Sequence, residues 1–199
     1  MRALWHAALV FARLLTLPLL ALSCAAPSGL TPEAPRAAPS GWSRYRDPGG
    51  RFELSLPPDA ALADHSPSAT SRYFTWSPKG ARSTFSVLVD DHPGDSIEPL
   101  LEDAKVVVEL DEELGWQGRT ARHVRARSEH DQPRSWGEDP NGRRWETGPR
   151  HVREVIDFMG FSGPNASLRV GFRLDVEDAA RYERTFVQMV ESFSPAAEL

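Results

Sequence analysis

The chain has 199 residues, a net charge of −5 at pH 7, and 40% hydrophobic and 9% aromatic side chains. This length suits one folded domain with a buried core. The acidic balance argues against binding to the phosphate backbone of a nucleic acid and against lying flat on an anionic membrane. Because Cys24 is the only cysteine, no disulfide can form within the chain.

The N-terminal segment has the pattern of an export signal. Residues 14–22 form an uncharged run of nine residues, well short of the roughly 20 that cross a bilayer. Arg2 and Arg13 lie before or within the segment and small residues follow it, which is typical of a secretory signal peptide. The alternative is an N-terminal core helix, which the proline-rich stretch after it disfavours. We predict that residues 1–23 are a signal peptide.

The end of this segment resembles the lipobox of bacterial lipoproteins. The sequence LALSC ends on Cys24, directly after the small Ser23, and a thiol is the nucleophile that can carry a thioether-linked lipid. The alternative is an ordinary signal peptide followed by a free thiol. The resemblance implies lipidation of Cys24, and two or more acyl chains anchor a protein stably to a membrane. Ala25, rather than Asp, resembles lipoproteins sent on to the outer membrane.

A proline-rich stretch follows the predicted lipidation site. Residues 24–41 include four prolines and no aromatic side chain, so they cannot bury a core and are expected to form an extended tether. Loss of residues 1–23 removes two arginines and no acidic residue, which changes the net charge from −5 to −7. The folded part is predicted to be a single domain at 42–195.

Alternating hydrophobic residues predict most of the domain to be strands. The turn Asp47-Pro48-Gly49-Gly50 predicts a hairpin over 42–57. Further strands are predicted from alternation and β-branched runs, at 72–77, 83–89, 106–110, 119–127, 151–159 and 167–176. In the last of these strands, the expected inward residues are Leu168, Val170, Phe172, Leu174 and Val176, and the expected outward residues are Arg169, Arg173 and Asp175.

Two helices and one polar segment complete the prediction. Ser96 can cap a helix over 97–104, and Asp178 opens a second helix that stops before Pro195. Acidic residues at the start of that second helix suit the helix dipole. The polar residues 128–150 form either a long hairpin loop or an insertion with little structure.

Both ends of this domain resemble the Mog1/PsbP-like superfamily. The opening RYRDPGGRFELSLPPDA and the closing LRVGFRLDVEDAARYERTFVQMVESF, with its Ser192-Phe193 pair, carry the resemblance. It implies an α+β fold in which an antiparallel β-sheet is sandwiched by helices. The superfamily includes photosystem lipoproteins, bacterial envelope lipoproteins and small chaperones for secreted effectors. None of the matched motifs is catalytic, so the resemblance bears on fold more than on function.

One loop has the residue types of a metal site. Asp90, Asp91, His92 and Asp95 lie within six residues, and carboxylates with an imidazole can hold a divalent cation. The alternative is a strand-to-helix loop of turn-forming residues ahead of Ser96. Apart from this candidate metal and the lipid on Cys24, the sequence indicates no cofactor.

A second candidate site lies in the polar segment. Exposed tryptophans with arginines are common where proteins bind each other, so we consider Trp136, Arg143, Arg144 and Trp145 as partner-binding residues. The alternative is a flexible loop with its tryptophans folded back onto the sheet. The acid pairs Glu112-Glu113 and Glu138-Asp139 have the residue types of a hydrolase, but exposed acids are usually only solvated.

The sequence contains no catalytic motif that would support an enzyme. The leading hypothesis is a lipid-anchored cell-envelope lipoprotein with a non-catalytic protein-interaction or scaffold role. The alternative is an envelope module that binds a small ligand or metal through a sheet face or the 90–95 loop. We expect two kinds of partner, the membrane through the lipid anchor and another envelope protein, and no nucleic acid. The expected location is the bacterial cell envelope, at the outer rather than the inner membrane.

Overall fold

The computed structural model describes residues 38–66, 68, 70–94, 97, 105–138 and 144–197. The predicted signal peptide, Cys24 and the predicted tether up to residue 37 lie outside these residues. The predicted helix over 97–104 also lies outside them, except for Ile97, which is fully buried. No helix among the described residues is long and apolar enough to cross a membrane.

The described domain consists of strands with one helix. The strands are β1 (Ser43–Arg46), β2 (Phe52–Leu56), β3 (Ala63–Asp64), β4 (Ser71–Trp76), β5 (Thr84–Asp90), β6 (Val106–Trp116), β7 (Arg119–Gln132), β8 (Ser135–Glu138), β9 (Arg144–Thr147), β10 (Arg150–Ser162), β11 (Ser167–Asp175) and β12 (Ser194–Pro195). The helix α1 (Ala179–Glu191) lies between β11 and β12. The prediction of an antiparallel sheet is confirmed, although the described part is mainly β rather than a sheet between helices.

Seven strands form one antiparallel sheet in the order β3-β4-β5-β11-β10-β7-β6. A smaller sheet has the order β1-β2-β12, and β8 and β9 form a two-stranded sheet. The turn between β6 and β7 consists of Gln117 and Gly118, both with positive φ. Such a two-residue turn matches the natural twist of the strands it joins.

The main core lies between the large sheet and α1. Phe186, Met189 and Val190 share one face of the helix and are fully buried, because their spacing of three and four residues places them on one stripe. After the helix, Phe193 stacks on Phe52 of β2 and Phe161 of β10, with ring centroids 5.5 and 5.8 Å apart. This packing fixes the helix relative to both sheets.

The opposite face of the large sheet carries a second, smaller cluster. Phe158 belongs to it, with Ile156 and Ala126, whereas the neighbouring Met159 belongs to the main core. Successive residues of a strand point to opposite faces, so β10 is buried on both sides.

Burial on both faces explains where the predicted alternation of β11 was wrong. Asp175 was expected to face outward but is 5% exposed, and Arg169 is partly buried with its guanidinium 5.2 Å from the Phe158 ring. Burial lowers the pKa of the Arg169 guanidinium, since a charged group is disfavoured away from water. Val176 was expected to face inward but lies beyond the end of β11 and is 45% exposed.

The polar segment 128–150 is largely a hairpin extension in its described part. β7 and β10 pair as far as Gln132 and Arg150, and β8 and β9 continue beyond them as a separate two-stranded ribbon. Residues 139–143 lie outside the described residues. Polar strands of this kind are expected where neither face packs on the core.

Candidate functional site

The candidate site is a groove beside the start of α1. Its volume is about 630 Å³, and it is lined by the β2–β3 connection, the β4–β5 turn and the first turns of the helix. These three segments are far apart in sequence and meet because β4 and α1 pack on the same core. The lining residues that matter below are Pro57, Pro58, Asp59, Trp76, Pro78, Lys79, Arg181 and Tyr182.

Two partly buried aromatic rings form the wall of this groove. Trp76, the last residue of β4, meets Phe186 edge-on at 5.8 Å between ring centroids. Tyr182, one turn before Phe186 on α1, stacks on the same ring at 6.3 Å. Because Phe186 is fully buried, both rings are held by the core and present a rigid aromatic surface to the groove.

The charged groups of the groove have no ion-pair partner in the described part of the domain. Lys79 is exposed on the tight turn after Pro78, and the Arg181 guanidinium lies over the Tyr182 ring at 4.9 Å. Among the described residues, no carboxylate forms an ion pair with Lys79 or Arg181, and no cation pairs with Asp59. Two cations and one acid are therefore available to a ligand.

Hydrogen bonds to Asp178 connect the start of α1 to the β4–β5 turn, which are two walls of the groove. The Asp178 carboxylate accepts hydrogen bonds from the backbone N–H of Arg82 at 2.7 Å and from the Ser83 hydroxyl at 2.8 Å. It makes no capping hydrogen bond to its own helix. Asp178, which was expected to suit the helix dipole, also ties the helix to the β4–β5 turn.

A second polar cluster lies under the same helix, further along the sheet. His123 on β7 and Asp157 on β10 are each 2% exposed, and the imidazole Nε2 lies 2.9 Å from the carboxylate Oδ1. Arg125 approaches both Asp157 and Glu183 at 3.5 Å. Glu112 on β6 lies 3.6 Å from His123 Nδ1, which forms no hydrogen bond.

Among the described residues, no nucleophile accompanies the His123 cluster. An imidazole oriented by a carboxylate resembles the base of a nucleophilic enzyme, but that chemistry needs a nucleophile within hydrogen-bond reach of the second nitrogen. No hydroxyl or thiol of the described residues bonds to His123 Nδ1. Through these contacts the cluster links β7, β10 and α1.

Of the residues predicted as a metal site, Asp91 is paired with a residue outside the set, whereas Asp90 and His92 bond to each other. Asp91 pairs with Arg51 at 2.6 Å, while His92 is exposed and bonds to Asp90 at 2.9 Å. Asp95 lies outside the described residues. Among those described, no group of three histidine, cysteine or acidic side chains could hold a metal ion.

The predicted partner-binding residues are on the β8–β9 ribbon. Trp136 is paired with Glu146, Trp145 with Gly137, and the exposed Arg144 with Glu138. Arg143 and Asp139 lie outside the described residues. The ribbon therefore brings three of the four predicted residues into one hairpin.

A histidine with two acidic neighbours stands at the base of this ribbon. His151 lies 2.9 Å from Asp131 and 2.8 Å from Glu129. Hydrogen bonds to Asp131, and then to Glu129, raise the pKa of His151 above 6.5. The cluster is exposed to solvent, which limits how much it stabilises the fold.

The groove was not predicted from the sequence. Trp76 was the end of a predicted strand, and Tyr182 was a predicted core position of the last helix. Lys79 is one of only two lysines in the chain and is the middle residue of a Pro-Lys-Gly turn. This rare lysine was the one signal in the sequence that could have drawn attention to the groove.

Comparison with known proteins gives a likeness of fold only. No family model and no curated protein matches the sequence. Among solved structures, the chain is similar to the solution structure of cyanobacterial PsbP (CyanoP) from Synechocystis sp. PCC 6803. The TM-score is 0.48 and the identity 11%, with 82% of this chain and 97% of that chain covered. A likeness at this level does not place the chain in a family.

Proposed function

We propose that the protein is a lipid-anchored cell-envelope lipoprotein whose domain binds another protein and performs no catalysis. The observation that carries the proposal is the groove, where two fixed aromatic rings stand beside cations that no described carboxylate neutralises. Rigid aromatic side chains and arginine supply most of the binding energy in protein interfaces. We also infer the helix-sandwiched, PsbP-like architecture, which the buried cluster on the second face of the sheet supports.

The anchor is proposed from the sequence around Cys24. Lipidation at this position would keep the groove within reach of the membrane through residues 24–41. We expect Cys24→Ala to move the protein from the membrane fraction to the soluble fraction, whereas Ser28→Ala, four residues further on, should leave its fractionation unchanged. Unchanged membrane fractionation of Cys24→Ala would contradict lipid anchoring.

The interaction is tested by crosslinking in whole cells. A photoreactive p-benzoylphenylalanine at Ala61, which is exposed and lines the groove, should give a covalent adduct of discrete mass with another protein. The matched control is the same residue at Thr120, which is exposed on β7 and does not line the groove. Equal adducts at both positions, or none at Ala61, would contradict a protein partner at the groove.

A small-ligand role is the second candidate, and the size of the groove favours it. A volume of about 630 Å³ lies within the usual range of small-molecule sites, roughly 300–1,000 Å³. If the ligand is a small molecule, it should occupy the groove of the purified protein, and position 61 should give no adduct with another protein in cells. Native mass spectrometry of the protein purified from its own cells separates the two candidates, because a bound small molecule adds a small, discrete mass to the protein.

A further inference from the structure

We propose that the groove binds an extended, proline-containing segment of the partner that carries acidic side chains. This inference rests on the proposed function and specifies the chemistry of the partner. Extended polyproline segments are recognised by aromatic-lined grooves, because their conformation is preformed and loses little entropy on binding.

The aromatic wall has the features that such a segment needs. Trp76 contacts the Phe186 ring edge-on and Tyr182 stacks on the same ring. The Trp76 indole can therefore offer a flat surface to a proline ring, beside the Arg181 guanidinium that lies over Tyr182. Pro57, Pro58 and Pro78 complete the lining without adding backbone N–H donors.

Hydrogen-bond donors are available at the same wall. A polyproline segment has no internal hydrogen bonds, so its carbonyl groups seek donors outside the segment. Within the described part of the chain, neither the Trp76 indole N–H nor the Tyr182 hydroxyl bonds to another protein group. Both groups combine an apolar ring with a polar end, which is the combination that suits a bound backbone carbonyl.

The charge of the groove selects an acidic partner. Lys79 and Arg181 outnumber Asp59, although the whole chain is acidic, with a net charge of −5. Elsewhere in the domain, arginines such as Arg51 and Arg72 are paired with carboxylates. The groove is therefore a locally positive site, and opposite charges on the partner increase specificity and association rate.

The test measures binding of synthetic peptides to the full chain carrying Cys24→Ala. The probes are two acetylated nine-residue peptides of identical length, PPEPPEPPE and PPKPPKPPK, labelled for fluorescence anisotropy. We expect the acidic peptide to bind at least 10-fold more tightly than the basic one. Arg181→Glu with Lys79→Glu should reverse this order, because the change replaces both attractive contacts with repulsive ones.

A matched variant separates the groove from overall charge. Arg184 is exposed on α1, as Arg181 is, but does not line the groove. Arg184→Glu should therefore change the affinity for the acidic peptide by less than about 3-fold. Equal affinity for the two peptides, or an equal loss in Arg184→Glu and Arg181→Glu, would overturn the proposal. No peptide binding despite a protein adduct at Ala61 would overturn this inference and leave the proposed function in place.

Two other occupants of the groove can be distinguished by the peptide assay and by sedimentation velocity. If replacing Pro32 and Pro35 by alanine raised the peptide affinity 10-fold or more, the occupant would be the chain's own proline-rich segment, and the proposal would be wrong. A dimer in sedimentation velocity that dissociates on adding the acidic peptide would instead identify a second copy as the occupant, and would likewise overturn it.

Discussion

Asp157→Ala is expected to destabilise the domain strongly, because it removes the carboxylate from a buried network. Asp157 is 2% exposed, and His123, its partner at 2.9 Å, is equally buried. Asp157 also pairs with the largely buried Arg125 at 3.5 Å, and leaving a buried charge without its partner costs about 3–5 kcal/mol. Arg125 also reaches Glu183, which offsets part of this loss, so we expect a decrease in the free energy of unfolding of about 3 kcal/mol.

Urea denaturation followed by circular dichroism measures this loss. With a slope of about 2 kcal/mol per M, the midpoint should fall by roughly 1.5 M, and the melting temperature should fall by roughly 6–12 °C. The matched control is Glu109→Ala, which breaks an exposed ion pair with Arg127 at 2.7 Å and should cost less than about 1 kcal/mol.

A double variant tests whether the network is structural. Replacing both His123 and Asp157 by leucine removes the buried polar pair as a unit, and such replacements are often close to neutral. We therefore expect the double variant to be more stable than Asp157→Ala and to bind the groove peptide as tightly as the unmodified chain. A loss below about 1 kcal/mol in Asp157→Ala would contradict this prediction, because it would mean that Asp157 interacts only weakly with its buried partners.

Two further predictions concern other parts of the fold. Gly171→Ala should cost more than about 3 kcal/mol or prevent folding, because a Cβ there would collide with the Asp157 carbonyl oxygen and lie 2.7 Å from Phe158 Cα. Gly115→Ala, in a strand position with open space, should change the stability by less than about 1 kcal/mol in the same urea assay. In NMR titration, the pKa of His151 should lie above 6.5, and Asp131→Asn should lower it. Because the folded-state pKa is raised, the stabilisation is fully present below pH 6.5 and disappears as the pH rises through the folded-state pKa; a His151 midpoint at or below 6.5 would contradict the cluster.

The alternation of hydrophobic residues predicted the strands well where one face is buried. Phe52, Leu54 and Leu56 were expected to share a face, and all three are buried. The turn at Asp47 forms as expected, with the Gly50 N–H donating to the Asp47 carbonyl at 2.8 Å and Gly50 at positive φ. In these places, turn chemistry and strand period are local properties that a sequence displays directly.

The sequence was less informative wherever distant segments meet. Asp175 looked like an outward residue because a central strand covered on both faces loses the polar side of its alternation. The groove forms because β4, the turn after it and α1 pack together, which brings together Trp76, Lys79 and Tyr182. The spacing of residues along the chain does not predict that contact. The lipid on Cys24, the metal site and the role of Trp136 and Trp145 stay predictions.

We propose that the anchored domain presents its groove to a protein partner in the envelope. The most direct test compares the crosslinked adduct formed from position 61 in cells, at equal protein amounts, between the chain with Cys24 and the chain with Cys24→Ala. We expect one adduct of discrete mass with Cys24 intact. Its yield should fall by about 10-fold or more in Cys24→Ala, because tethering raises the effective concentration of the two partners. Equal adduct yields with and without Cys24, or no adduct from position 61 in either chain, would contradict the proposal.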